Sequence, residues 1–236
     1  MVSYFLNFVI LISTTQDLMG EVAEHFSVSP SSRLQLFMLL NVYTSQKPFH
    51  TSASVLSTHP LMHGVLNSLL LDASPTVCTT GLTVLVKLLP IFAVHACKEL
   101  KQHLPQLLAV LVRMICWKDG PASNLLHSYT SALQLYDMPP EAEVSLEEEF
   151  QDDKPLHIRP DFGWARLEST FDATVSSAPS PWSLFTKLYY LFPRTTLRFL
   201  REPINCLEQW GFATPYTVSW DEALDEVKIR SKSEVM

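Results

Sequence analysis

Pro60-Leu61-Met62-His63-Gly64-Val65-Leu66-Asn67-Ser68-Leu69-Leu70-Leu71-Asp72-Ala73-Ser74-Pro75-Thr76-Val77-Cys78-Thr79-Thr80-Gly81-Leu82-Thr83-Val84-Leu85-Val86-Lys87-Leu88-Leu89-Pro90 reads as two antiparallel helices around a tight turn. Leu61, Met62, Val65, Leu66, Leu69 and Leu70 form a stripe at helical spacing. Residues 72–75 interrupt it. Ser74 can accept from an orphan N–H of the next helix, and Pro75 suits the first helical position, where no N–H is needed. Val77, Cys78, Gly81, Leu82, Leu85, Leu88 and Leu89 mark the inner side of the second helix, and Pro90 is expected to stop it. Gly81 costs about 1 kcal/mol relative to Ala inside a helix, so its expected benefit is close helix–helix approach. Neither helix can hide its stripe alone. The expected fold class is all-α, a HEAT-like α-solenoid of antiparallel helix pairs.

Residues on both sides fit that reading. Residues 91–100 suggest a short connecting helix. Leu104, Leu107, Leu108, Leu111 and Ile115 form the next stripe, ending near Trp117. Asp119-Gly120-Pro121 is a turn, and Leu125, Leu126, Tyr129, Leu133 and Tyr136 mark a further helix. Pro105…Asp119 thus echoes Pro60…Asp72, with the two aspartates 47 residues apart, inside the period of HEAT-type repeats. Upstream, residues 17–45 read as two helices, the second capped by Ser31 or Ser32 and ended by Lys47-Pro48. The serine- and threonine-rich stretch to His59 reads as a loop. Residues 1–16 are uncharged and very apolar, with Phe8 to Ile12 unbroken, but have neither the basic start nor the small-residue cleavage site of a signal peptide. A buried first helix, a membrane segment and a chain whose true start lies elsewhere are the readings open for them.

Beyond Pro139-Pro140 the composition changes. Residues 139–161 are acidic, with Glu147-Glu148-Glu149 and Asp152-Asp153, as in a solvated loop or a docking segment for a basic partner. Residues 161–175 suggest a helix with Trp164 and Leu167 facing inward, followed by a linker at 176–181. Residues 181–201 then give an aromatic helix, a proline bend at Pro193 and a shorter helix. Lys187, Arg194, Arg198 and Arg201 lie there with no acid before Glu202. The three arginines share one helical face. A solvated face with local salt bridges is the bland reading, and a contact for an acidic partner or anionic lipid headgroups is the sharp one. Ser219 with Glu222 suggests a capping box for a last helix over 220–229. The expected organisation is 1–138 helical repeats, 139–180 an acidic, Pro/Ser-rich loop or insertion, and 181–236 helices packing on the solenoid.

The 236 residues are 47 % apolar, enough for a real core, and only 17 % charged, so partner chains or further sequence are expected to cover some surface. Six glycines are few for a nucleotide-binding α/β enzyme, and sixteen prolines suit many short helices. The net charge of −7 comes from residues 141–172, which hold ten acids and three bases, whereas 1–140 balance seven against seven. No broad basic field faces a nucleic acid. Cys78, Cys97, Cys116 and Cys206 are far apart within apolar helices and read as reduced core thiols of a cytosolic protein.

No catalytic constellation is visible. His59 and His63 stand four apart, but Pro60 occupies the place where a zincin has its Glu, and no third ligand is near. No G-x-S-x-G, P-loop or dinucleotide fingerprint occurs. No catalytic or metal residue, cofactor, nucleic acid or small-molecule substrate is expected.

Residues 77–90, Val77-Cys78-Thr79-Thr80-Gly81-Leu82-Thr83-Val84-Leu85-Val86-Lys87-Leu88-Leu89-Pro90, resemble the signature of the hamartin family. So does Leu184-Phe185-Thr186-Lys187-Leu188-Tyr189-Tyr190-Leu191-Phe192-Pro193, followed by Phe199-Leu200-Arg201. The similarity covers about residues 33–136 and 182–202. It implies a HEAT-like N-terminal domain without enzymatic activity, in a scaffold of the tuberous sclerosis complex. That family stabilises tuberin, the GTPase-activating subunit acting on Rheb, and so restrains TOR signalling at lysosomal or vacuolar membranes. The implied partners are tuberin and other complex subunits, with an anionic membrane surface as a further candidate. The implied location is cytoplasmic, peripheral to such a membrane. Hamartins also carry a C-terminal coiled coil, and no sustained heptads occur here, so the chain is expected to be a fragment or truncated version. An unrelated helical-repeat adaptor in trafficking or complex assembly is the alternative. A small hydrolase on a helical scaffold has no nucleophile–base pair to support it.

Overall fold

The computed structural model describes residues 15–46, 49–117, 156–168 and 178–235. The readings made for 1–14, for the helix over 125–136, for the acidic run up to 155 and for 169–177 lie outside these residues. Every regular element described is helical, apart from one antiparallel bridge between Ile158 and Tyr216.

In chain order the helices are α1 (Thr15–Val28), α2 (Arg33–Tyr43), α3 (Phe49–Thr58), α4 (Pro60–Leu71), α5 (Pro75–His95) and α6 (Cys97–Ile115). After the segment 156–168 come α7 (Trp182–Leu191), α8 (Pro193–Arg201), α9 (Pro203–Gln209), α10 (Trp220–Ala223) and α11 (Glu226–Ser233). α4 and α5 form the expected hairpin. His59 caps α4 by accepting from Leu61 N at 3.1 Å, and Ser74 caps α5 by accepting from Val77 N at 3.5 Å. A proline follows each cap, at the position that needs no N–H.

α5 is the axis. It packs against α2, α3, α4, α6 and α7. By length and composition it could cross a membrane, but half of its most apolar window is covered inside the fold, as befits a core helix. Gly81 explains how closely the neighbours approach. A Cβ there would lie 2.8 Å from the Phe37 ring of α2 and 2.9 Å from Leu69 of α4. Lys87 adds a polar tie, donating to the Asn41 carbonyl at 3.0 Å and to Ser45 Oγ at 2.6 Å at the C-terminal end of α2.

Several local expectations are corrected. Pro90 does not stop α5, which runs on to His95, and Pro105 lies inside α6 rather than at a helix start, so it does not repeat the role of Pro60. The carbonyls that these prolines leave without an amide partner belong to Val86, which is half-buried, and Lys101, which is exposed. Residues 91–100 are therefore no separate connector; the break falls at Ala96, between α5 and α6. The presumed loop before His59 is α3, which buries Phe49, Ala53 and Leu56 against the core. Ser32 precedes α2, but its hydroxyl donates to the Ser29 carbonyl and caps nothing. The last helix is split. α10 ends at Ala223, and α11 starts anew under an Asp225 cap that accepts from Lys228 N at 2.9 Å. Cys97 is exposed, unlike the buried Cys78 and Cys206, and all four thiols are free.

Residues 156–168 are not helical beyond a 3-10 turn at Pro160–Phe162. They run as a strap across the helices. Gly163 turns the strap with φ +61°, a conformation that favours glycine. One end pairs with residues 215–217, through Arg159 N on the Pro215 carbonyl and Thr217 N on the His157 carbonyl, both at 2.9 Å. Tyr216 in turn donates to the Leu70 carbonyl at 2.8 Å, at the end of α4. Trp164 and Leu167 do face inward, as expected, but from an extended backbone.

Candidate functional site

Phe192 leaves the helical region (φ −136°, ψ 60°), which ends α7, and Pro193 starts α8 at once. The two helices bury Leu184, Phe185, Leu188, Thr196, Phe199 and Leu200. Since α7 packs on α5 and α8 packs on α6, their outer sides form one outward surface. Apolar and aromatic side chains remain on it: Trp182, Tyr189 and Leu197 are each a little under half exposed, and Tyr190 is 84 % exposed.

The residues singled out in the sequence lie on this surface. Arg194, Arg198 and Arg201 are exposed on α8, spaced to follow one face, and Lys187 is half-buried on α7. Arg198 donates to Gln209 Oε1 at 2.9 Å. Among the described residues, the side chains of Lys187, Arg194 and Arg201 have no hydrogen-bond or ion-pair partner.

Arg201 also borders an open groove of about 570 Å³ between α7, α8 and α11. Its lining includes the buried Phe185 and Leu200, the exposed Leu197, and two cations with two carboxylates, Arg201, Arg230, Glu202 and Glu234. α11 is held in place by the buried Ile229 and by Lys232, which donates to the Ile115 carbonyl at 3.1 Å. Arg230 pairs with Glu226 at 3.1 Å and donates to the Arg201 carbonyl at 3.2 Å. Lys187 and Arg194 are not part of the groove lining.

The strongest polar assembly is elsewhere, and sequence reasoning missed it. Asp72, taken as a helix breaker, is wholly buried and gathers the fold around its carboxylate. Oδ1 accepts from Arg33 Nη1 at 2.6 Å, Leu167 N at 3.0 Å and Trp164 Nε1 at 3.1 Å. Oδ2 accepts from Ser68 Oγ at 2.6 Å, and the Asp72 carbonyl accepts from Arg113 of α6. Arg33 is equally buried, donates to the Phe26 carbonyl at 3.0 Å and lies 4.0 Å from the Trp164 ring centre. Burial pulls the Arg33 guanidinium below its ordinary value, and Asp72 opposes that pull. The available signal was two isolated charges within long apolar runs, since a charge that is buried needs a partner.

This assembly is a joint, because both carboxylate oxygens are already engaged. Nearby Cys78 is pushed up to about 11 by burial, so its thiol stays protonated and inert. His59 is occupied as a cap and His63 is exposed; desolvation holds both below the ordinary histidine value, and His103 adds to the pull on His63. Among the described residues no three His, Cys, Asp or Glu side chains come together as metal ligands would.

No protein-family model matches the sequence, and no curated protein matches it. The fold is similar to solved structures. One, described as the TSC1 N-terminal domain, covers 86 % of this chain at 21 % identity and a TM-score of 0.54. Another, described as the TSC1 N-terminal and linker domain, covers 93 % at 20 % identity and a TM-score of 0.56. The chain spans 40 % of the length of each. TSC1 is hamartin, so the likeness in fold falls on the same protein as the resemblance in sequence.

Proposed function

We propose that this chain is a non-catalytic, hamartin-like scaffold whose helix pairs stack as an α-solenoid, flanked by the acidic insertion and the C-terminal helices. One observation carries the reading. The two stretches with the hamartin signature lie in α5 and α7, far apart in sequence, and these helices pack against each other. The shared pattern is thus one packed seam, in a fold that matches the TSC1 N-terminal domain. Its partners are tuberin and other subunits of the complex that restrains TOR signalling. Its place is the cytoplasm, at the lysosomal or vacuolar surface, with Lys187, Arg194, Arg198 and Arg201 facing an acidic partner or an anionic membrane.

The test is affinity capture of tuberin by the full chain from cell extract. Retention of tuberin is the expected result. Recovery of trafficking components without tuberin favours the unrelated adaptor and overturns the reading. For the membrane contact, sedimentation with phosphoinositide vesicles should weaken when the three arginines are reversed to Glu; unchanged sedimentation removes that contact.

A further inference from the structure

We propose that Ser231 is a phosphorylation site, and that a phosphate there releases α11 from α6 and α8. The proposal goes beyond the scaffold reading and holds whichever partner the scaffold carries. α11 is a polar helix resting on the fold. Of its eight residues only Ile229 is buried, and Val227 is 79 % exposed. It packs on α6 and α8, and two cations tie it to them. Arg230 Nε donates to the Arg201 carbonyl at 3.2 Å, where α8 ends, and Lys232 Nζ donates to the Ile115 carbonyl at 3.1 Å, where α6 ends. At its start the Cys116 thiol adds a weak bond to the Asp225 carbonyl at 3.8 Å. A helix fixed by one apolar side chain and so few bonds belongs to the low-stability end of a fold.

Ser231 stands between the two tying cations. It is exposed, and its hydroxyl donates to the Lys228 carbonyl of its own helix at 3.1 Å. Lys228-Ile229-Arg230-Ser231-Lys232 sets positive charge three residues before the hydroxyl, one before it and one after it, a pattern that an acidic kinase cleft selects. Among the described residues no other serine or threonine has a Lys or Arg on both sides. In the transfer, Ser231 Oγ attacks the γ-phosphorus of ATP bound to a serine kinase. The bond from that phosphorus to the bridging oxygen breaks, ADP leaves, and the hydroxyl proton passes to a base of the kinase. The product carries a charge of about −2 at neutral pH. It offers Arg230 and Lys232 a charged acceptor in place of neutral carbonyls, and the charge-assisted bond is the stronger. Arg230 already shares its charge with Glu226, so Lys232 is the tie that yields first. The phosphate also sits in the last turn of α11, at the negative end of the helix dipole and one turn from Glu234. Each of these effects favours the detached helix.

Two measurements on the full chain test the proposal. The catalytic domain of protein kinase C with Mg·ATP supplies the modification, and mass spectrometry locates it. Phosphate should appear at Ser231, and that signal should vanish in Ser231→Ala. Phosphate at other positions only, or none at all, overturns the site. Phosphoserine encoded at position 231 then separates the release from the choice of kinase. Hydrogen exchange should quicken about tenfold or more across α11, with α5 unchanged. Lys232→Met, which removes the tie to Ile115, should quicken the same amides without phosphate, whereas Ser231→Ala should match the parent. Exchange in α11 that stays equal or slows with phosphoserine overturns the release, because the phosphate then leaves the helix in place or tightens it. Faster exchange throughout, α5 included, overturns it too, since the whole fold would have responded. Tuberin capture is read separately, so its failure bears on the scaffold and not on α11.

Discussion

Arg33 opens α2, is fully buried and is held by Asp72, the Phe26 carbonyl and the Trp164 ring. Arg194 and Arg201 lie on α8, exposed, with no side-chain partner among the described residues. The first region spends its charge on joining segments far apart in the chain, from α1 to the strap at 156–168. The second leaves its charge outward. The difference separates an arginine that makes the fold from arginines that the fold displays, and each change below should respect that boundary.

The largest effect belongs to Asp72→Ala. It strands the buried Arg33 charge and removes the acceptor of Ser68, Trp164 and Leu167, which should cost about 3–5 kcal/mol in urea unfolding. Arg33→Met also leaves a buried charge, the Asp72 carboxylate, without its counter-ion, but three donors remain on that carboxylate and the apolar chain fills the space, so it should cost less than Asp72→Ala. The reverse order would mean that the strap, and not the ion pair, is incidental to the joint.

Next is Gly81→Val. The added atoms enter space already claimed by Phe37 and Leu69, so thermal melts should show a loss of about 1–3 kcal/mol. Gly64→Ala is the control on the neighbouring helix. Its Cβ would meet Phe26 at an ordinary 3.4 Å, and better helix propensity should leave it neutral or slightly stabilising.

A smaller effect comes from pH. Desolvation holds His59 and His63 below the ordinary value of 6.5 in the folded chain. The unfolded chain therefore binds more protons just below that value, and stability falls as the pH drops through about 6.5. His59 also accepts from Leu61 N through Nδ1, an acceptor that protonation removes. His59→Asn keeps a cap that does not titrate, so its melting temperature should change less between pH 7.5 and 5.5. An equal or steeper change would free His59 from any part in the acid sensitivity.

What the sequence disclosed follows from how local each signal is. The α4–α5 hairpin, its Ser74 cap and the Pro193 bend are written in periodicity and in residues within a turn of one another. The close approach at Gly81 could be read too, because a glycine in a long apolar helix asks for a reason. The arginine face of α8 needed only helical spacing. The failures are non-local. Pro90 looks like a stop and Pro105 like a helix start until the rest of α5 and α6 is seen to be held by packing. The stretch over 49–58 looks polar until Phe49, Ala53 and Leu56 are seen to face the core. Trp164 and Leu167 advertised their burial but not their backbone, because what fixes the strap is Asp72, 92 and 95 residues away. The groove could not be read at all, since α11 reaches it from beyond a second cap.

The smallest expected change is the most informative about the displayed arginines. Arg194→Glu and Arg201→Glu remove no partner that the described residues supply, and both side chains are exposed. Each should stay within about 0.5 kcal/mol of the parent in urea unfolding, since surface changes away from caps and buried networks rarely exceed that. A loss near that of Asp72→Ala would place α8 on the same side of the boundary as Arg33, holding the chain together. A near-silent pair of substitutions instead leaves these cations available for something outside the chain, where Arg201 can act beside Leu197 without being needed to keep the helix in place.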